Sequence, residues 1–311
     1  MRVWPTLLLA ACAARTPAPL PTIEMAVTVD DLPAHGSLPA GLSREQVVER
    51  MLAAFRAHRL PPVYGFVNGA KLEKLPEGER ILRRWLDAGN PLGNHTWSHA
   101  SLNEMSAEAW LSDVARNEPL LEGLDPSGSW KMFRYPFLFE GDEPAKKSAA
   151  KSSLRERGYA IAEVTIDADD WAYNAAYVRC LARGDAAAAE ELRRAYVKAH
   201  LDELGYVRQL TRELAGHDVR HVLLQHIGAL DADRMDSLLT AYEAEGVRWI
   251  DLRTALADPF YDMQQLRAMK AGASLPYLLL PGRDVHPPPR PAGTEERLDQ
   301  LCSASNSPRG S

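Results

Sequence analysis

The chain has 311 residues, 46% of them hydrophobic and 25% charged, which excludes wholesale disorder and is typical of a globular protein with one large core or two smaller ones. Lys and Arg number 36 and Asp and Glu number 42, so the formal net charge is −6; without a basic block, this excludes a general nucleic-acid surface. Three cysteines are too few for a disulfide framework or a Cys-based zinc cluster, so a metal would need His and carboxylate ligands.

Residues 1–11 have the layout of an export signal. Arg2 supplies a short positive region, and residues 3–11 are apolar and end in small side chains. The run Leu-Ala-Ala-Cys that ends at Cys12 resembles a bacterial lipobox, in which the cysteine is acylated and becomes the new N-terminus. We therefore expect an exported protein, periplasmic or on the outer cell surface, with a lipid anchor to the membrane at Cys12. The alternative is cleavage near Ala14, with Cys12 discarded.

From residue 23 to residue 280, short apolar runs alternate with amphipathic segments of helical length, after a Pro-rich linker at residues 12–22. Helices are expected around residues 44–58 and 77–88. Strands are expected at residues 25–29, 63–67, 91–94, 131–134, 159–166, 222–225 and 247–250. This alternation predicts an α/β fold with a parallel sheet or barrel, and chemistry at the carboxyl ends of the strands.

Two segments depart from the alternation. Residues 174–216 are rich in Ala, Glu, Leu and Arg and lack a strand signal, which predicts an inserted helical pair after the fifth strand. Residues 281–311 hold six of the 22 prolines and no apolar period, which predicts a disordered tail; the alternative is a Pro-rich arm packed on the domain. Acylation of Cys12 would leave Cys180 and Cys302 free to pair in an oxidising compartment, but the sequence does not show whether they meet.

Polar side chains collect at the ends of five predicted strands. They are Asp30-Asp31, the segment 93–99 with His95 and His99, the segment 134–137, the segment 167–171, and His226. Because the carboxyl ends of parallel strands meet at one edge of a sheet, we expect these five clusters to form one site.

His95 and His99 are spaced as a metal-binding pair. Residues four apart lie on one side of a helical turn, so the two imidazoles would supply half of a zinc site. No Glu follows His95, which excludes the helix of the H-E-x-x-H metalloproteases. An iron oxygenase site with two His and one carboxylate is a weaker alternative, because its carboxylate usually follows two residues after the first His, where this chain has Trp97. A metal assay separates the two.

Asp30 and Asp31 offer the missing carboxylate ligand. Adjacent residues of a regular strand point to opposite faces, so both can approach one metal only if the strand ends there, as the following Leu32-Pro33 suggests. One Asp would bind the metal and the other would lie within reach of its water. Two neighbouring carboxylates stay ionised only beside a cation, which the metal and Arg134 would supply.

These motifs, in this order, resemble those of the polysaccharide deacetylase family, carbohydrate esterase family four, over roughly residues 25–256. The family's T-F-D-D-G, H-[ST]-x-x-H, R-x-P-[YF], D-x-x-D-W and L-x-H resemble residues 28–32, 95–99, 134–137, 167–171 and 224–226. The resemblance implies a distorted (β/α) barrel with fewer than eight strands, in agreement with the seven strands predicted here.

The resemblance also implies a metal and a general base. Asp31, His95 and His99 would hold a divalent metal, usually zinc. Asp30 would take a proton from the attacking water, and Arg134 would keep Asp30 ionised and oriented.

On the leaving-group side, the resemblance implies that His226 protonates the departing amine or alkoxide, with Asp170 oriented against it to keep it cationic. The backbone N–H of Phe137 would help to stabilise the oxyanion of the tetrahedral intermediate. Trp171 would form an apolar wall for the acetyl methyl group.

The implied function is a metal-dependent hydrolase that removes acetyl groups from an N- or O-acetylated saccharide of the cell envelope or environment. Leu32 replaces the family's glycine, and the predicted insertion lies at the mouth of the site. The alternative is therefore an amidase or esterase of the same fold that acts on a small acyl substrate. A catalytically silent binding protein would lack Asp30, Arg134 or His226, and all three are present.

Three polar residues near these motifs stay outside the predicted site. Asp167 is explained equally well as a strand-end cap, and Asp169 as a solvated residue. His35 is near Asp31 in sequence, but a loop histidine beside a glycine is more often exposed.

Overall fold

The computed structural model describes residues 22–263, 272–281 and 294–303. The predicted export signal, Cys12 and most of the predicted linker lie outside the described residues. A helix with the length and apolar composition needed to cross a membrane does not occur in the described part of the chain.

A curved sheet of parallel strands forms the centre of the protein. The strands are β1 (Ile23–Leu32), β2 (Tyr64–Val67), β3 (Leu92–Asn94), β4 (Met132–Phe133), β5 (Ala160–Ile161), β6 (His221–His226) and β7 (Val247–Trp249). Their order is β5-β4-β3-β2-β1-β6, and β7 also pairs with β1. All of these pairings are parallel, so the carboxyl ends of the strands lie on one side of the sheet.

The chain that follows β5 closes this sheet into a distorted barrel. The Ala160 and Ala162 amides donate to carbonyls of the β4 segment, at 3.1 and 2.7 Å. A few residues later, Ile166 forms a parallel bridge with Leu223 of β6. The long fifth strand expected from the sequence is thus divided between the two edges of the sheet. The prediction of a distorted (β/α) barrel with about seven strands is confirmed.

Helices cover the outside of the sheet. They are α1 (Arg44–Ala57), α2 (Gly78–Asp87), α3 (Ala107–Leu124), α4 (Pro144–Glu156), α5 (Asp170–Ala182), α6 (Ala186–Ala215), α7 (Ala229–Ala244), α8 (Leu252–Leu256), α9 (Leu275–Leu279) and α10 (Thr294–Gln300). Local sequence explains where α1 begins: Ser43 and Gln46 form a reciprocal capping box. Val48, Met51 and Phe55 then follow at helical spacing and are buried.

Helices α5 and α6 form the predicted helical insertion after the fifth strand. Asp185 caps the start of α6 by accepting a hydrogen bond from the Ala188 amide at 2.9 Å, and Gly216 ends the helix with a left-handed φ of 76°. The first helix, however, begins at Asp170 and not at residue 174. Asp170 and Trp171 therefore belong to the insertion as well as to the motif at residues 167–171.

Helix α10 corrects the expectation of a disordered tail for residues 294–303. Leu298 is buried in the core, and the Arg179 guanidinium of α5 donates to the Leu298 carbonyl. A disulfide joins Cys180 to Cys302. The pairing of these two cysteines, which the sequence left open, is found, and it fastens the C-terminal segment to α5.

Candidate active site

The carboxyl ends of β1, β3 and β6 border a cleft of about 470 Å³. Seven of the nine predicted site residues line it: Asp30, Asp31, His95, His99, Phe137, Trp171 and His226. The other two, Arg134 and Asp170, are buried and make hydrogen bonds to Asp30 and His226 respectively. The sequence therefore identified residues that the fold brings together from five separate segments.

A bulge turns both aspartates of β1 into the cleft. As the following Leu32-Pro33 suggested, β1 ends just after these residues, at Leu32. Its register with β2 shifts between Val29 and Leu32, and Asp31 has a left-handed φ of 72°. This break in the alternation of side chains allows Asp30 and Asp31 to line the same cleft.

Asp30 is held by a buried guanidinium. The Arg134 Nη1 atom lies 3.2 Å from both Asp30 carboxylate oxygens. The remaining nitrogens of Arg134 are also fixed, since Nε donates to the Ala162 carbonyl at 2.6 Å and Nη2 to Thr28 Oγ1 at 3.1 Å. Burial raises the pKa of Asp30 to about 6, although the charges of Arg134 and His226 oppose this rise. A carboxylate with this pKa is suited to accept a proton near neutral pH.

Asp31, His95 and His99 converge on one point, with a potential ligand atom of each residue within 4.8 Å of the others. His95 Nδ1 lies 2.8 Å from the Arg134 carbonyl, so its Nε2 is the nitrogen left for a metal. The spacing had suggested that the two histidines share a helical turn, but residues 95–99 are not helical. A left-handed φ of 59° at His99 instead turns the segment so that the two ring centroids lie 4.9 Å apart.

The charge states of these three residues fit a divalent metal. Burial lowers the pKa of His95 well below its usual range and that of His99 to about 4, so both imidazoles are neutral, as a ligand must be. Burial would raise the pKa of Asp31, but the charge of Lys71, whose Nζ lies 2.8 Å from Asp31 Oδ1, and the hydrogen bond of His35 outweigh it and keep Asp31 ionised. Two imidazole nitrogens and one carboxylate oxygen form a ligand set that zinc accepts, with a position left open.

His226 has the opposite charge state. Its Nδ1 lies 2.7 Å from Asp170 Oδ1, and its backbone N–H donates to Asp170 Oδ2 at 2.6 Å. Burial lowers the pKa of His226, but the charge and the hydrogen bond of Asp170 outweigh this effect and raise it to about 10. The same pairing lowers the pKa of Asp170. The imidazolium is therefore a proton donor, and Asp170 fixes its orientation.

A second group that could hold a metal consists of Asp31, His35 and His226. His35 Nδ1 lies 2.7 Å from Asp31 Oδ2, and the His35 and His226 rings are 4.6 Å apart. Because His226 is cationic in this setting, it is a poor ligand, and the group that contains His95 and His99 is the better metal site.

Comparison with protein families agrees with the motifs. Residues 18–156 match the family model described as polysaccharide deacetylase.

The chain thus resembles the polysaccharide deacetylase family over a little less than half of its length. The matched residues include the predicted base and metal ligands, whereas Asp170 and His226 lie beyond them.

Individual relatives are distant. A peptidoglycan-N-acetylglucosamine deacetylase from Bacillus cereus is 26% identical over 148 residues, which are 48% of this chain and 46% of the relative. This chain thus spans about half the length of the curated relative that it matches.

Two solved structures share the fold. The polysaccharide deacetylase Bc1974 from Bacillus cereus has a TM-score of 0.51 at 17% identity, with 74% of this chain and 91% of that one covered. A CE4 family pseudoenzyme from Bacillus anthracis has a TM-score of 0.52 at 14% identity, with 76% and 66% covered. Because a pseudoenzyme shares the fold, the fold alone does not establish activity. Activity has to be argued from the side chains that line the cleft.

Aromatic and acidic side chains form the walls of the cleft. Phe137 is 54% exposed and packs edge-on against the His99 ring, at 4.4 Å between centroids. Trp171 also lines the cleft, at the start of α5. Asp167 acts as a local cap, since its Oδ1 accepts from the Asp169 amide at 3.1 Å, but both residues also line the cleft, and Asp169 is half-buried rather than solvated.

Three residues in or beside the cleft were not predicted from the sequence. His35 was expected to be exposed, yet its side chain is 18% exposed and bound to Asp31; its position four residues after Asp31 was a usable signal. Lys71 Nζ lies 2.8 Å from Asp31 Oδ1, and Glu295 of α10 reaches the rim. Neither Lys71 nor Glu295 carries a sequence signal, because the tertiary fold alone brings their segments to the cleft.

Proposed function

We propose that this protein is a metal-dependent hydrolase that removes acetyl groups from an N- or O-acetylated saccharide of the cell envelope. The observation that carries this proposal is the meeting, in one cleft, of a buried carboxylate base, a group of one ionised aspartate and two neutral histidines, and a cationic histidine. The similarity to a peptidoglycan-N-acetylglucosamine deacetylase supports a saccharide as the substrate.

Asp31, His95 and His99 would hold the metal, and zinc is the ion that this ligand set favours. When bound, the ion would supply Lewis acidity toward the attacking water and the acyl oxygen. Asp30 would accept the proton of the attacking water. Arg134 holds the Asp30 carboxylate by both oxygens, so the base keeps one orientation as it changes charge.

His226 would donate its proton to the leaving nitrogen or oxygen as the acyl bond breaks. Asp170 stabilises the imidazolium before that step and holds the ring in one tautomer. The backbone N–H of Phe137 would stabilise the developing oxyanion, and Trp171 would contact the acetyl methyl group. The acid and the base thus come from two charged pairs, each with a buried partner.

A second candidate is hydrolysis of a small amide or ester. The observation in its favour is the C-terminal segment: Gly272 and Glu295 line the cleft, and α10, which carries Glu295, is fastened by the disulfide. These residues lie outside the part of the chain that matches the family model. A wall at this position would favour a short substrate over a long polymer strand.

The proposed location is outside the cytoplasm, with a lipid anchor to the membrane at Cys12. The disulfide between Cys180 and Cys302 supports an oxidising compartment, since reducing compartments keep such thiols unpaired. Incorporation of labelled fatty acid that is lost in Cys12→Ser would support the anchor, and labelling that persists in this variant would refute it.

The direct test is acetate release from chitin oligomers of increasing length, peptidoglycan, acetylated xylan and a small aryl acetate, each with zinc and with chelator. We expect chelator-sensitive release from at least one saccharide, and none from His95→Ala. Release from the aryl acetate alone would establish the second candidate. If zinc-loaded protein releases no acetate from any substrate, both proposals are wrong.

A further inference from the structure

A buried layer of polar side chains extends from His226 away from the cleft and into the helical insertion. It consists of Asp170, Asp231, Tyr196, Gln225 and His200, each no more than 1% exposed. Asp231, Tyr196 and His200 belong to none of the five sequence motifs. Buried polar groups without water must satisfy one another, so the hydrogen bonds of this layer constrain its charges.

Asp231 lies in the first turn of α7 and is buried, as is Asp170. Its Oδ1 lies 2.9 Å from the Tyr196 hydroxyl, whereas no donor among the described residues reaches its Oδ2. The Asp170 and Asp231 carboxyl groups are close enough for each to shift the pKa of the other. Gly228 makes room for this arrangement, because a Cβ atom there would stand 2.2 Å from Asp231 Oδ2. The chain thus places two carboxyl groups side by side in a dry interior.

Only one of these two carboxyl groups can be ionised. Asp170 already accepts the Nδ1 proton and the backbone N–H of His226, so it carries the negative charge. The groups that face Asp231 are Asp170 from α5, Tyr196 from α6 and His226 from β6, and the one cation among them is bonded to Asp170. Burial and the charge of Asp170 raise the pKa of Asp231 well above its usual range. A proton on Oδ2 also supplies the hydrogen bond that this atom otherwise lacks.

We propose that Asp231 is a buried carboxylic acid that donates a hydrogen bond from Oδ2 to the Asp170 carboxylate, and that it thereby positions the pair formed by Asp170 and His226. This positioning role rests on the proposed function of His226 as the acid. Tyr196 holds the other oxygen of Asp231 and comes from α6, the long helix of the insertion. The insertion would therefore help to position His226 through Tyr196 and Asp231, and not only contribute Trp171 to the cleft.

The first test determines whether Asp231 is protonated in the folded protein, and it needs no substrate. The equilibrium unfolding of wild type and Asp231→Asn is compared by denaturant titration between pH 5 and 7, at one zinc concentration. In the unfolded wild type Asp231 ionises at these pH values, so unfolding releases its proton and becomes more favourable as the pH rises. The variant has no such proton to release. The ratio of the variant's folding equilibrium constant to that of the wild type should therefore rise about tenfold per pH unit.

The matched control is Asp236→Asn, which makes the same exchange at an exposed position of the same helix. Because an exposed aspartate is ionised in both states, its ratio should not rise tenfold per pH unit. A ratio for Asp231→Asn that stays constant across this pH range would show that Asp231 is ionised in the folded protein, and would overturn the proposal.

The second test measures positioning. Asn at position 231 can still donate to Asp170, so Asp231→Asn should keep kcat/KM for acetate release within about threefold and keep the alkaline limb of its pH profile. Asp231→Leu removes the donor and should lower kcat/KM by about tenfold or more with zinc content unchanged. An Asp231→Leu variant as active as the wild type, or an alkaline limb lowered by about one pH unit in Asp231→Asn, would refute the positioning role.

Two tyrosine variants decide the matter if Asp231→Leu does not fold. Tyr196→Phe removes the hydroxyl that holds Asp231, whereas Tyr242→Phe removes a buried hydroxyl that lies 3.4 Å from the His200 carbonyl. The first should lower kcat/KM and the second should not; equal values would refute the positioning role. If the wild type releases no acetate at all, the proposed function fails, and the unfolding experiment still determines whether Asp231 holds a proton.

Discussion

The cleft contains two kinds of histidine, and each kind has a ring nitrogen within 4.8 Å of an Asp31 oxygen. His95 and His99, on the proposed metal side, are neutral because burial lowers the pKa of both. His226, on the proposed acid side, is 12% exposed, between the 2% of His95 and the 24% of His99, yet its pKa is raised to about 10. Burial therefore does not decide the charge of these rings by itself.

The partner of the second ring nitrogen makes the difference. His95 Nδ1 bonds to the Arg134 backbone carbonyl, which has no net charge, so burial dominates and the ring stays neutral. His226 Nδ1 bonds to the Asp170 carboxylate, whose charge outweighs burial. A carbonyl partner thus prepares a metal ligand and a carboxylate partner prepares a proton donor. Variants of each side test this division.

Removal of a metal-side histidine should have the largest effect. His95→Ala loses one of two nitrogen ligands, so we expect no stoichiometric zinc and no measurable acetate release. Zinc content by mass spectrometry and acetate release check this result. The matched control is His217→Ala, an exposed histidine that pairs with Asp258 away from the cleft. A zinc-loaded, active His95→Ala would place the metal in the alternative group with His35.

Loss of the base should abolish most activity but spare the metal. Asp30→Asn keeps the shape of the side chain, so we expect full zinc content and a fall in kcat of about 10²- to 10⁴-fold. Equal loss of zinc in Asp30→Asn and His95→Ala would refute the assignment of Asp30 as the base.

The pH profile of the wild type gives a second measurement on Asp30. The base works when deprotonated, so activity should fall as the pH drops through a value of about 6, or lower once a bound cation favours the carboxylate. An acidic limb well above pH 6 would contradict this.

In Asp170→Asn, the His226 ring should become neutral, as the rings of His95 and His99 are. Without the carboxylate, burial dominates and the pKa of His226 falls below its usual value. A general acid works while protonated, so the alkaline limb of kcat/KM should move to lower pH by about two units or more, with zinc retained. An unchanged alkaline limb would show that another group donates the proton.

The smallest effect on chemistry is expected from the disulfide, which touches neither side. In Cys180→Ser/Cys302→Ser we expect the free energy of unfolding to fall by about 2–4 kcal/mol, because the unfolded chain gains freedom. Zinc affinity and the pH limbs should not change. Denaturant titration of the variant, beside reduced and oxidised wild type, checks this. A shifted pH limb would mean that α10 acts on the charges of the cleft.

Much of the site followed from short sequence patterns. Apolar runs located the strands, and polar residues after them, such as His95 and His226, were predicted to share one edge. The pattern failed where the backbone departs from regular geometry: the bulge at Asp31 and the turn at His99 depend on left-handed backbone angles that alternation of side chains does not reveal. The family resemblance supplied the assignment of base and acid.

The sequence by itself determined the parallel α/β architecture, the helical insertion and the residues of the five motifs, because hydrophobic periodicity and adjacent polar residues are local properties. Only the tertiary structure decided which distant side chains join them. Lys71 reaches Asp31, Tyr196 reaches Asp231, and Cys180 meets Cys302 through contacts between segments far apart in the chain. The packing of whole elements sets such contacts, and with them the desolvation and charge partners that give His95 and His226 opposite charge states.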